Sequence, residues 1–165
     1  MAQVGLGAIT QTLQSDIISI LNTDTTDVTY PDKAGTNVLA SLSDFKIVDG
    51  IPIELLQGTG FKYIIVNTPE ESTQRLTAGF SPQFISILEV PITATSKQEG
   101  HVRLVMDRIR QRLYNQRGTT RAHNFILHYS GGIMRNNVNP DVVGDNTRIW
   151  TNNIIVPYRW LGDSD

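Results

Sequence analysis

Cysteine is missing from all 165 positions. Disulfide frameworks, thiolate nucleophiles and cysteine-based zinc sites are therefore excluded, and redox chemistry says nothing about compartment. Charge is also scarce: Asp, Glu, Lys and Arg make up 18% of the chain, against roughly 25% in an ordinary domain. Apolar residues reach only 39%, and Thr, Asn, Gln, Ser and Gly fill the difference. That balance suits strands and ordered loops with polar surfaces and argues against a bundle of long helices. No apolar run approaches the ~20 residues of a membrane-spanning helix, so no membrane partner is expected. Residues 1–8 carry neither a basic stretch nor a long apolar one, so no secretory signal is expected. The Asn-x-Ser/Thr acceptor pattern does not occur.

What is present fits one domain over residues 1–165, long enough to build a core without covalent staples. Ile9, Leu13, Ile17 and Leu21 recur at four-residue spacing and predict an amphipathic helix over about 7–22. The Thr-, Asp- and Pro-rich segment 22–36 reads as a loop and as the mobile part of the chain. Leu42–Val48 and Ile51–Leu55 read as short strands around Asp49-Gly50, and Phe61–Val66 as a stronger one. Thr68-Pro69-Glu70-Glu71 has the form of a capping box with proline at the first helical position, predicting a short helix that stops at Gly79. Phe84–Thr95 is the clearest strand, with Pro91 marking an edge, a bulge or a break. Ser96-Lys97-Gln98-Glu99 is a second capping box. It opens a long helix over about 97–117, with Val102, Val105, Met106, Ile109 and Leu113 as its buried stripe. Asn124–Ser130 and Arg148–Trp160 read as strands. The order predicts an α+β fold: an antiparallel or mixed sheet of about four to six strands packed against two main helices and one short helix.

Patterns that carry covalent chemistry fail one by one. Gly5-Leu6-Gly7 follows no strand and has Thr10 where a dinucleotide fingerprint needs its third glycine. Gly58-Thr59-Gly60-Phe61-Lys62 lacks the spacing of a phosphate-binding loop, and Ser130-Gly131-Gly132 is no nucleophile elbow. His123 and His128 are five residues apart on an expected strand, which puts them on opposite faces. Asp44, Asp49 and Glu54 lack the lysine that a metal-dependent nuclease site would want after its second acid. No catalytic residue, metal ligand or cofactor is therefore expected, and the chain is not read as an enzyme.

Charge is unevenly placed. Residues 1–96 hold four basic and ten acidic side chains, whereas residues 97–135 hold eight basic and two acidic ones. Projected at 100° per residue, Arg103, Arg110 and Arg117 line one flank of the long helix together with Tyr114, and Arg108 and Arg112 line the other. Leu104 falls nearly opposite the buried stripe, where an interface anchor would stand. With Arg121 just beyond the helix, this row is expected to meet acids of a neighbouring subunit or phosphates, because the forked guanidinium suits both. A solvated helix face is the plainer alternative. Tyr63, Trp150, Tyr158 and Trp160 are further candidate anchors, with core membership as their ordinary role.

The segments Ile9–Leu21, Phe84–Thr95 leading into the 97–117 helix, and Ile154-Val-Pro-Tyr-Arg-Trp160 resemble, in size and order, the tail-terminator (tail-completion, neck) proteins of long-tailed bacteriophages. The resemblance implies a virion protein, assembled in the host cytoplasm, that forms a homo-oligomeric ring, typically a hexamer, at the head-proximal end of the tail tube. Such a ring ends tube polymerisation and joins the tail to the head connector. Its partners are further copies of itself, the tail-tube protein and the connector, with DNA passing through the lumen without sequence specificity. Another head–tail connector or tail-tube subunit, a nucleic-acid-binding module using the arginine helix, and a small enzyme with a dispersed site are the competing readings.

Overall fold

A computed structural model describes residues 9–31, 34–50, 62–75, 84–115, 125–127, 134–135, 139–143 and 147–160. The expected strand at 51–55 and the helix end at Gly118 lie outside these residues, as do Gly79, His123 and His128. Helix α1 (Ile9–Asn22) is followed by strands β1 (Asp27–Pro31) and β2 (Asn37–Ser41), a single 3-10 turn at Leu42–Asp44, β3 (Lys46–Val48), β4 (Tyr63–Val66), β5 (Glu70–Arg75) and β6 (Phe84–Ser96). Helix α2 (Glu99–Asn115) then leads to β7 (Phe125–Leu127), β8 (Met134–Arg135), β9 (Asn139–Val143) and β10 (Thr147–Trp160). The class is α+β, as expected, with a mixed sheet in which β3 and β4 run parallel and the other pairings are antiparallel.

Two long strands form the spine. β6 has 13 residues and β10 has 14, and they pair from Trp150 opposite Ser96 to Arg159 opposite Ile87. Each spine strand satisfies its outer edge with shorter strands placed end to end. β4 and then β5 run along β6, with β3 outside β4, while β9, β8 and β7 run along β10.

The expected irregularity at Pro91 is resolved by these seams. β4 pairs as far as Val66 opposite Ile92, and β5 begins with Glu70 opposite Glu89. The Asn67 amide donates to the Pro91 carbonyl at 2.9 Å, so Pro91 faces this side of β6, where neither strand needs an amide from it. Pro157 follows the same logic. It stands opposite Glu89, two residues beyond the Ile155–Pro91 pair, so its ring nitrogen turns away from β6. There it meets the gap between β8, which ends at Ile155, and β7, which begins at Tyr158.

One face of the sheet is apolar and covered by the helices. Leu88, Val90, Ile92 and Ala94 of β6 alternate inward with Ile154, Val156 and Tyr158 of β10, and meet Val102, Val105, Met106, Ile109 and Leu113 of α2. α1 adds Leu13, Ile17, Ile20 and Leu21. Gln14 is the polar member of that helix face. Its Nε2 donates to the Val66 carbonyl at 2.7 Å and to the Asp49 carbonyl at 3.0 Å, tying α1 to the ends of β4 and β3.

Three expectations fail here. The strand expected over Leu42–Val48 is shortened to Lys46–Val48, because Leu42–Asp44 forms a 3-10 turn whose Asp44 carboxylate accepts the Ser41 amide. Residues 70–75 form a strand on β6 instead of a short helix, because the edge of a 13-residue strand offers six residues a full ladder, whereas a helix that short is unstable by itself. Segment 22–36 is not a plain loop either. Asp27–Pro31 pairs with Asn37–Ser41 in a separate two-stranded sheet, where Val28, Thr29 and Tyr30 supply β propensity.

Two buried amides make a testable contrast. Asn152 is fully buried opposite Ala94, and neither its Nδ2 nor its Oδ1 has a partner. Gln14→Met should lower unfolding stability by about 1–3 kcal/mol, since it strands a buried carbonyl. Asn152→Leu should raise it by about 1–3 kcal/mol, since it removes an unmet amide of similar volume. Urea denaturation midpoints read both.

Candidate assembly surface

Helix α2 lies between two layers. Its stripe faces β6 and β10, and its far side meets β1 and β2. This second layer explains Leu104, which lies opposite the stripe yet is only 4% exposed. The expectation that Leu104 stands free as an interface anchor is corrected: its burial is internal to the chain, on a helix that packs against β1 and β2 as well as the main sheet. Tyr63 and Tyr158 are likewise core residues, and burial pushes the Tyr158 hydroxyl well above its ordinary pKa, with Asp16 adding to the effect. Trp150, Trp160 and Tyr114 are partly buried against the core.

The two arginine flanks differ in kind. On one flank, Arg108 Nε donates to Asp24 Oδ2 at 2.8 Å and Arg108 Nη2 to the Thr26 hydroxyl at 3.0 Å. Arg112 Nη2 donates to the Thr23 hydroxyl at 3.0 Å, its Nε to the Ile20 carbonyl at 3.5 Å, and the same Nε lies 3.8 Å from Asp24. Asp24 is 3% exposed and also accepts the Thr26 amide at 2.9 Å. Burial alone would raise the Asp24 carboxyl, but the Thr26 amide and the Arg108 guanidinium outweigh it and hold its pKa below the usual value. Here the expectation of arginines without acids of their own chain is overturned.

On the other flank, Arg103 pairs with Glu99 at 2.6 Å and Arg110 approaches Asp107 at 3.9 Å, both along the helix, with Arg103 and Asp107 exposed and Glu99 and Arg110 partly buried. Exposed pairs of this spacing contribute about 0.3–0.5 kcal/mol each and exchange readily for other partners. Arg110 Nε is buried without an acceptor. Tyr114 joins this flank, whereas Arg117 and Arg121 lie outside the described residues. The outward charge of α2 is therefore carried by Arg103 and Arg110.

His101, in the first turn of α2, has its pKa lowered by burial and by Lys62, against a smaller opposing pull from Asp44. Among the described residues no group of three or more His, Asp or Glu side chains could hold a metal ion, and no helix is long and apolar enough to cross a membrane.

No family model matches the chain, and no curated protein does. Among solved structures it is similar to a chain described as "Virion of native gene transfer agent (GTA) particle", with 13% identity and a TM-score of 0.51, over 92% of this chain and 96% of that one. The likeness is one of fold and spans nearly the whole of both chains.

Two outcomes follow from the packing of α2. Leu104→Ala should cost about 2–5 kcal/mol of stability, as a core truncation does, whereas an exposed leucine would cost almost nothing; thermal unfolding distinguishes them. The Asp24 contribution is fully present above the unfolded carboxyl pKa of about 3.9 and is lost as pH falls through the lower folded value. Below about pH 4, Asp24→Asn should therefore show a shallower decline of stability with acid than the parent chain. Equal slopes would mean the carboxylate does not stabilise the fold.

Proposed function

We propose that the chain is a virion structural subunit with no catalytic role. Copies of it form a ring, sixfold by resemblance, at the head-proximal end of a phage tail tube. The ring ends tube growth, joins the tube protein to the head connector and lets DNA pass through its lumen. The observation that supports this reading is the fold shared, end to end, with a chain of a virion particle. It agrees in kind with the tail-terminator resemblance read from the order of elements.

The surface proposed for the ring contact is the outward flank of α2, made of Arg103, Arg110 and Tyr114. Its acids are near neighbours on the same helix, Asp107 exposed and Glu99 partly buried, so a carboxylate from another copy can replace them at little cost. An interface repeated around a closing rotation makes a ring, and complementary charge gives it register. The nucleic-acid reading has less support, because Arg108 and Arg112 are committed to Asp24, Thr23, Thr26 and the Ile20 carbonyl.

Solution mass and negative-stain images of the purified protein, alone and mixed with tail tubes, test the proposal. Rings, or density capping tube ends, are expected. A monomer that joins neither tubes nor connectors would sink it. The double variant Arg103→Glu, Arg110→Glu should keep its circular dichroism spectrum and lose ring or cap formation by at least roughly tenfold in apparent affinity. Unchanged assembly would remove this flank from the interface.

A further inference from the structure

The β1–β2 hairpin belongs to the fold in an unusual way. Among the described residues neither of its strands hydrogen-bonds to the main sheet, and its main packing partner is α2. Of its side chains that are described, Val28 turns inward and is partly buried, its partner Ala40 is buried in the core, and Leu39 on the other face is 56% exposed. A two-stranded hairpin of five residues per strand has little stability of its own in water. Polar ties stand beside this apolar contact. Asp24, Thr23 and Thr26 lie just before β1, and each engages Arg108 or Arg112 on α2 across more than 80 positions of sequence.

We infer that the β1–β2 hairpin is a strap that opens from α2 as a unit while the main sheet stays folded, with the Asp24–Arg108–Arg112 cluster as its clasp, and that opening uncovers the Leu104 side of α2. The argument is one of separable cohesion. An element that shares no ladder with the main sheet can open below the global unfolding free energy. Among the described residues, charged hydrogen bonds of this cluster tie the base of the hairpin to α2, and Asp24 is 3% exposed while the hairpin is closed. The opened helix would present an apolar residue, Leu104, between the two arginine flanks. This inference stands independently of the ring proposal.

Amide hydrogen exchange on the full chain tests it. In Asp24→Asn, protection over residues 27–31 and 37–41 should fall roughly tenfold to a hundredfold, the loss expected for a charged hydrogen bond, with β6 and β10 unchanged. An equal fall in hairpin and spine would mean the strap opens only with the whole protein, and an unchanged hairpin would mean the cluster is no clasp; either result overturns the inference. If Asp24→Asn does not fold, Thr26→Val, which removes only the hydroxyl bound by Arg108, carries the same three outcomes at a few-fold effect. Because the chain has no cysteine, Leu104→Cys also places a unique thiol beneath the strap. Its labelling rate should rise with Asp24→Asn, whereas that of Ile154→Cys in the spine should not.

Discussion

The pairing of β6 with β10 is the constraint on which the rest of the molecule depends. Ten consecutive residue pairs fix these strands against each other, and both have an outer edge whose amides and carbonyls need partners. That need recruits β4 and β5 on one side and β7, β8 and β9 on the other. The inward alternation of the two strands then supplies the apolar floor on which α2 and α1 lie. α2 follows directly from the end of β6 and folds back over the strand that precedes it, so its position is set almost as soon as the spine is.

Much of this was legible in the sequence, and the failures share a cause. The long helix, its stripe and the two spine strands are carried by local periodicity, which needs no knowledge of neighbours. The capping box at 68–71 is a genuine local signal, but β6 offered the same residues a ladder, and the tertiary option won. Strand 27–31 was obscured by the Asp and Pro residues at its ends, although Val28, Thr29 and Tyr30 had the composition of a strand. Leu104 was misplaced because a helical projection assumes one buried side, and α2 has two. Asp24 was the most consequential miss. Counting charge by segment set eight basic residues against two acids, and nothing local reveals that an acid just beyond the end of α1 binds the arginines of α2.

These corrections narrow the candidate surface without removing it. Of the arginines described on α2, one pair is internal architecture and the other pair meets, among the described residues, acids of its own helix. The proposed assembly role would use both kinds: fixed charges that define the shape of the subunit, and loosely held ones that can change partners when copies meet.

The prolines of the spine have a further consequence. If β6 slid by two residues against its neighbours, the alternation of faces would survive and the apolar side would still point inward, so patterning alone does not forbid the slip. Such a slide, however, carries Pro91 out of the seam and sets its ring against a carbonyl of β4 or β5 that then has no donor. Pro157 does the same to β7 or β8 if β10 moves. Two residues without amide hydrogens thus act as stops, and the alignment of the longest strands is enforced by what they cannot donate.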